Sequence, residues 1–373
     1  MNGVRQLSVK KQIEEWFEHF HTYPEVSYKE YETTKKISQL LQGMEVAHHT
    51  FDDVTGVIAE IGEGDRILAV RADMDALWQE VDGVFRANHS CGHDANMSMV
   101  LGALSYLLDK PLGSRIRFIF QPAEEKGNGA LAMIERGAVD GVSHLFGIHL
   151  RPQEEIPFGK VSPAIHHGAA IFLEGRVIGV DAHGARPHQG KNALDPIFAI
   201  SQFVKSLHFS PYEAYSAKLT KVMSGSDNVN IIPGTATFAM DIRAQSNVVL
   251  ESLREQIEKG IQTIRELHGV EITFEWTDYT PAAEVSEEAA NIAEKAIIAT
   301  VGKEALSSAI ITSGSDDFHF YTIKRPHLKA TMLGIGADLS PGLHHPHMAF
   351  NREALYIGAK VLAETLQKAS FLD

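Results

Sequence analysis

Arg115-Ile116-Arg117-Phe118-Ile119-Phe120 runs into Gln121-Pro122-Ala123-Glu124-Glu125, which reads as a buried strand emptying into two adjacent carboxylates. In a parallel α/β sheet, ligands and reacting groups collect outside the carboxyl ends of strands, where several loops can aim side chains at one point. Two like charges a few ångströms apart cannot both stay ionised without a cation beside them. The pair therefore asks for a metal. The plainer account is a solvated helix N-terminus, where acids are favoured by the dipole, and the rest of the chain has to decide.

Upstream, Ile67-Leu68-Ala69-Val70 empties into Arg71-Ala72-Asp73-Met74-Asp75, so acids again follow an apolar run, as site groups or as loop carboxylates. The turn Gly62-Glu63-Gly64-Asp65 separates this run from Val57–Ile61. Farther back, Ile13, Trp16, Phe17 and Phe20 recur at helical spacing, and a second helix is expected from Tyr28 to Leu41. Between the two acidic strand ends, His89-Ser90-Cys91-Gly92-His93-Asp94 precedes a helix expected to bury one face through Met97, Val100, Leu101, Leu104, Leu107 and Leu108. A thiol at a helix N-terminus ionises more readily, and Cys91 with His93 offers a soft and a borderline ligand to a zinc-like ion. A buried Cys beside a capping Asp94 is the alternative.

Downstream, His144-Leu145-Phe146-Gly147-Ile148-His149 is another apolar run ending in a polar residue, His149 being either a core histidine or a ligand. From residue 169 to 279 the pattern changes to strand, helix, strand, strand, helix, strand. That order is the split βαββαβ, or ferredoxin-like, unit. It predicts a compact domain at 169–279 inserted into a catalytic domain made of 1–168 and 280–373. The inserted segment carries the His183-Gly184-Ala185-Arg186-Pro187-His188 loop, a turn from Asn228 to Gly234, and Arg243 after a strand. Asn230 and Arg243 could meet a carboxylate substrate or merely shape the surface. Near the C-terminus, His344-His345-Pro346-His347 is a weak metal site or a solvated loop; His48-His49 and His166-His167 read as structural.

With 373 residues, 44% hydrophobic and 22% charged, the chain has the composition of a globular protein with room for two cores. A net charge of −14 disfavours nucleic acid and anionic membrane surfaces as partners. The first residues lack a signal peptide's apolar core and no run is long enough to cross a bilayer, so a cytoplasmic location is expected. The single cysteine, Cys91, excludes an internal disulfide.

Taken in order, His21-Thr22-Tyr23-Pro24-Glu25, Arg71 to Leu77, Cys91-Gly92-His93-Asp94, Gln121 to Glu125, Gly147-Ile148-His149, His183 to His188, Asn230 to Pro233, Asp316-Asp317-Phe318 and Leu343 to Pro346 form one series. In these landmarks the chain resembles the metal-dependent amidohydrolases of the aminoacylase, hippurate hydrolase and auxin-conjugate hydrolase family, over nearly its whole length. The resemblance implies an α/β fold with a mixed-sheet, metallopeptidase-like catalytic domain and an inserted lid and dimerisation domain. It implies two divalent metal ions, zinc, manganese, cobalt or nickel, held by Cys91, His93, Glu125, His149 and His344. Glu124 would be the general base, and His183, from its own or a partner subunit, would stabilise the oxyanion. Asn230 and Arg243 would clamp the substrate's α-carboxylate, for which an Arg fork is suited.

Four features depart from the family pattern: Trp78 where proline is usual, a short 79–88 stretch, Asn96 where histidine is frequent, and His345 where serine is common. None removes an implied ligand or the base. The expected activity is hydrolysis of the amide bond of N-acyl amino acids or similar small conjugates by a homodimer. A small-peptide exopeptidase using the same metals is the nearest alternative. A thiol hydrolase with Cys91 as nucleophile leaves Glu124 and Glu125 without a role, and a pure binding protein has no need of Glu124.

Overall fold

The computed structural model describes residues 2–372, with side chains from residue 9 onward. The chain forms two compact units, Met1–His166 with Glu284–Ile311 and Asp317–Asp373, and His167–Ala283 with Thr312–Asp316. The sequence placed the whole stretch from 280 onward with the larger unit. Thr312–Asp316 instead joins the smaller one, where Gly168 N donates to Thr312 O and Gly314 O, each at 3.0 Å.

The larger unit contains helices α1 (Asn2–Thr22), α2 (Tyr31–Gly43), α3 (His93–Leu107) and α4 (Gly129–Glu135). Its strands are β1 (Ala47–Thr50), β2 (Val57–Ile61), β3 (Ile67–Asp73), β4 (Leu77–Val81), β5 (Val84–Asn88), β6 (Arg115–Gln121), β7 (Val142–Pro152) and β8 (Val161–Ser162). The smaller unit adds β9 (Ala169–Ile178), α5 (Leu194–Lys205), β10 (Tyr215–Ser224), β11 (Thr235–Ala244), α6 (Asn247–His268) and β12 (Glu271–Thr280). The larger unit resumes with α7 (Glu287–Val301), α8 (His319–Lys324), β13 (Lys329–Leu339) and α9 (Glu353–Ser370).

The larger sheet has seven strands in the order β1-β2-β6-β3-β7-β13-β8. β6, β3, β7 and β13 are mutually parallel, while β1, β2 and β8 pair antiparallel at the edges. The turn at 62–65 does not close a hairpin, because β6 lies between β2 and β3. Parallel pairing brings the carboxyl ends of β3, β6 and β7 to one edge of the sheet. Asp73 lies opposite Gln121 across β3 and β6, and His149 lies opposite Gly334 across β7 and β13.

α1, α3, α7 and α9 cover one face through a core that includes Ile13, Phe17, Leu101, Leu104, Ile297 and Leu362. The other core, around Met133, Ile134, Phe318, Tyr321 and Met332, lies under α4 and α8. α3 departs from the one-faced helix expected from the sequence: every residue from His93 to Leu107 except Tyr106 is buried. Small residues permit this. A Cβ on Gly102 would lie 2.6 Å from Ile13 Cδ1 and 2.9 Å from Ala359 Cβ, so α1 and α9 close on α3 only because that position carries hydrogen.

The smaller unit is a four-stranded antiparallel sheet in the order β10-β11-β9-β12, the arrangement of a βαββαβ unit. β11 alternates cleanly, with Ala236, Phe238, Met240, Ile242 and Ala244 buried beneath α5 and α6. α6 buries Leu250, Leu253, Ile257, Ile261 and Ile264 at helical spacing, and the Ser246 hydroxyl caps it by accepting from Val249 N. Among the described residues no helix is long and apolar enough to cross a membrane.

Candidate metal centre

Two turns aim the side chains. Gly92 takes a left-handed φ of 85°, which reverses the chain between Cys91 and the first residue of α3, His93. Ala123 takes φ 54° after β6 and starts the short 3₁₀ turn Glu124–Lys126. Glu124 N and Glu125 N then donate to the two carboxylate oxygens of Asp75, at 3.1 and 3.0 Å. Ala123 N donates to Glu30 Oε1 at 2.9 Å, so two buried carboxylates hold three successive backbone N–H groups.

On these turns Cys91, His93 and His149 place ligand atoms within 4.8 Å of one another, as do Cys91, Glu125 and His344, and also His93, Glu124 and Glu125. Cys91 is common to the first two groups. Cys91 Sγ is 3.8 Å from His149 Nε2, and Glu125 Oε1 is 3.6 Å from His344 Nε2 and 4.0 Å from His93 Nε2. Of the three C-terminal histidines, His345 accepts from His347 N and His347 faces Asp82, leaving His344 as the one at this cluster.

The donor set fits divalent ions on three counts. His93 Nδ1 donates to Asp75 O at 2.9 Å and His149 Nδ1 donates to Leu150 O at 2.6 Å. A carbonyl only accepts, so each ring presents its Nε2 lone pair to the cluster, as metal-bound histidines do when their other nitrogen is held by the protein. His93 Nε2 and Glu125 Oε1 are buried without a hydrogen-bond partner, which is costly unless something else engages them. The electrostatics agree. Burial opposes charge on the His93 ring, yet the acids Asp73 and Asp75 outweigh it and raise its pKa well above the usual range, so the site favours positive charge, which a bound cation would supply in place of the ring's second proton. Burial, then the charges of Asp75 and Asp73, pushes the Glu125 carboxyl up against the opposing pull of His93.

Cys91 corrects the sequence reading. Burial, followed by the charge of Glu125, drives the thiol well above its ordinary value, overriding the helix N-terminus. A thiol so placed is no spontaneous nucleophile; a cation at the cluster is what would ionise it.

Beneath the cluster, Asp75 also accepts from Ser27 Oγ at 2.6 Å. Burial works against its charge, but His93, Ser27 and Glu125 N hold its pKa below the usual range. Arg71 is buried and binds Asp73 at 2.5 Å, Asp317 at 2.7 Å and Gln121 Oε1 at 2.9 Å. Asn96 donates to Asp73 Oδ1 at 2.8 Å. Sequence reasoning left Asp73 and Asp75 undecided and passed over Glu30, Ser27 and Arg71. The acid after β3 and the arginine before it were the available signals, whereas nothing in the local sequence of Glu30 marks it.

In the smaller unit, His183 and Asn230 come together. Ala182–His183 pairs with Ile231–Ile232, and Gly184 N donates to Asn230 O at 2.7 Å. Ala185 N donates to His183 Nδ1 at 3.0 Å, so the neutral ring carries its proton on Nε2. Arg243 is elsewhere. It binds Asp241 at 3.0 Å and Ser313 O at 3.4 Å near the far end of β11, about 27 Å along the strand from the turn that bears Asn230.

The sequence pattern of the peptidases of family M20/M25/M40 matches residues 69–368. The chain belongs to that family. An N-acetylcysteine deacetylase of Bacillus subtilis is 30% identical over 369 residues, covering 92% of this chain and 93% of that protein. An IAA-amino acid hydrolase of Arabidopsis thaliana, ILR1-like 2, is 31% identical over 367 residues, covering 92% and 82%. Among solved structures, a B. subtilis M20-family peptidase described as dinuclear and metal-binding superposes with a TM-score of 0.82 at 26% identity, covering 96% of this chain and 98% of that one. The fold is therefore that of the M20 peptidases, with its separate small-sheet domain. With this ligand cluster, the M20 member is a metal-dependent amidohydrolase of small acyl or peptide substrates.

Proposed function

We propose that this M20 enzyme hydrolyses the amide bond of N-acyl amino acids, with Cys91, His93, Glu125, His149 and His344 holding two divalent ions and Glu124 acting as general base. The observation that carries the reading is the division of labour between neighbours. Glu125 Oε1 reaches Nε2 of both His93 and His344, at 4.0 and 3.6 Å, and Glu124 Oε2 stands beside it on the same clamped turn, 3.8 Å from His93 Nε2. A mixed set of thiolate, imidazole and carboxylate suits zinc, manganese, cobalt or nickel. Such ions, when bound, supply a more acidic water and a polarised scissile carbonyl. Glu124 takes the water's proton and delivers it to the departing nitrogen. The hydrogen bonds that the turn's backbone N–H groups donate to Asp75 and Glu30 fix the turn, so the carboxylate meets the reacting atoms with little reorganisation.

His183, with its proton on Nε2, serves as the donor to the oxyanion, and Asn230 and Arg243 bind the substrate carboxylate. One small substrate cannot reach both ends of β11. We therefore assign His183 and Asn230 to one subunit of a homodimer and Arg243 to the other, with the smaller unit as the dimerising part. Co-expressing Glu124→Ala with His183→Ala, each inactive alone, should restore about a quarter of wild-type turnover through mixed dimers that keep one intact site. No recovery would place His183 in the same subunit as the base it serves.

The substrate class is tested by rates on N-acetyl and N-benzoyl amino acids against unblocked dipeptides. The names of the deacetylase and conjugate-hydrolase relatives favour the acylated compounds. A kcat/KM at least about tenfold higher on dipeptides would favour the exopeptidase.

A further inference from the structure

His344 reaches the cluster from a loop closed at its base by the Ser340–Ala349 bridge and anchored by Leu343 and Met348 against the core. It has φ 64°, a left-handed conformation that is unfavourable for a non-glycine residue, and its ring is half-exposed. No helix or strand spans residues 342–347. At its tip the loop is also held by the hairpin β4–β5, closed by the two-residue turn of Asp82 and Gly83 with both residues at positive φ.

One face of that hairpin grips the loop backbone. Gln79 Nε2 donates to His344 O at 3.1 Å, and Asn88 Nδ2 donates to Pro346 O at 3.0 Å and to Gln79 Oε1 at 2.9 Å. Both outer acceptors are carbonyls, so the amide orientations are dictated rather than chosen. From the other side, His344 N donates to Ser90 O at 2.7 Å. Ser90 directly precedes Cys91, and Asn88 ends β5 two residues before Ser90. The hydrogen bonds therefore tie two ligands far apart in sequence, Cys91 and His344, through the stretch between them and the metal cluster.

We propose that Gln79 and Asn88 are positioning residues for His344 and set the affinity of the metal position that His344 shares with Glu125 and Cys91. The inference rests on the proposed role of His344 as a ligand. Outer partners that orient a ligand are worth 10–100-fold in metal affinity when removed. Loss of the pair frees the loop to relax out of its strained conformation and withdraw the imidazole.

The test is a calorimetric titration of the chelated protein with zinc alone, comparing wild type with Gln79→Ala, Asn88→Ala, His344→Ala and Arg86→Ala, the last an exposed residue on the same hairpin. Thermal melts of the chelated variants accompany it. Gln79→Ala and Asn88→Ala should weaken the same binding step that His344→Ala weakens, by about 10–100-fold, while the other step and Arg86→Ala stay at wild type. A general loss of fold would instead move both steps and the melt, and would overturn the positioning role. If His344→Ala weakens one step and neither amide variant does, the positioning role is wrong and the metal site stands. If His344→Ala changes neither step, His344 is not a ligand and both readings fall.

Discussion

Glu124→Ala should lower kcat by about 10²–10⁴ while the protein keeps its metal, whereas Glu125→Ala should lose metal affinity by more than about 100-fold. The expectation comes from two residues of identical chemistry on one turn. Their backbone N–H groups share Asp75, so neither substitution removes the clamp. Glu125 has an oxygen within reach of both His93 and His344, and that oxygen is buried without a hydrogen-bond partner. Elemental analysis beside initial rates on an N-acetyl amino acid separates the two outcomes. Equal metal loss in both variants would show that Glu124 is itself a ligand and would leave the reaction without an assigned base.

The second large effect is on stability. Arg71→Met should destabilise the larger unit by about 3–5 kcal/mol, because it leaves the carboxylates of Asp73 and Asp317 buried without their shared cation. Both acids are buried with the arginine, so water cannot substitute for it. Arg71→Lys should recover only part of the loss, since a single ammonium cannot satisfy Asp73, Asp317 and Gln121 together. The measurement is the melting temperature of the chelated proteins, where the Met variant should fall by on the order of 10 °C. An unchanged melt would mean that the acids are neutral in the folded protein and that the network is not ionic.

Much of the architecture is legible because it rests on periodicity and on strand ends. The βαββαβ order of the smaller unit follows from alternation in β11 and the 3.6-residue repeat in α6, both of which the structure keeps. The acids after β3 and β6 point to one place because parallel strands end at one edge, and the structure brings Cys91, His93, Glu124, Glu125, His149 and His344 together there. What the sequence hides is set by partners distant along the chain. The burial of α3 on all sides depends on Ile13 and Ala359 meeting at Gly102. The raised pKa of Cys91 depends on burial and on Glu125, thirty-four residues away, neither visible at the local helix N-terminus. Glu30 and Asp75 act through backbone N–H groups, which carry no residue identity to read. The separation of Arg243 from the turn that bears Asn230 is a matter of strand length, which a reading of either residue's neighbours does not reveal.

The central claim is metal-dependent amide hydrolysis at this cluster, and it is tested most directly by chelating the purified enzyme and adding back one divalent ion at a time. Bound metal and hydrolysis of an N-acetyl amino acid are followed in the same samples. We expect no turnover after chelation, and recovery that saturates together with two bound ions per chain. Turnover indifferent to chelation would contradict metal dependence and return attention to Cys91 as a nucleophile.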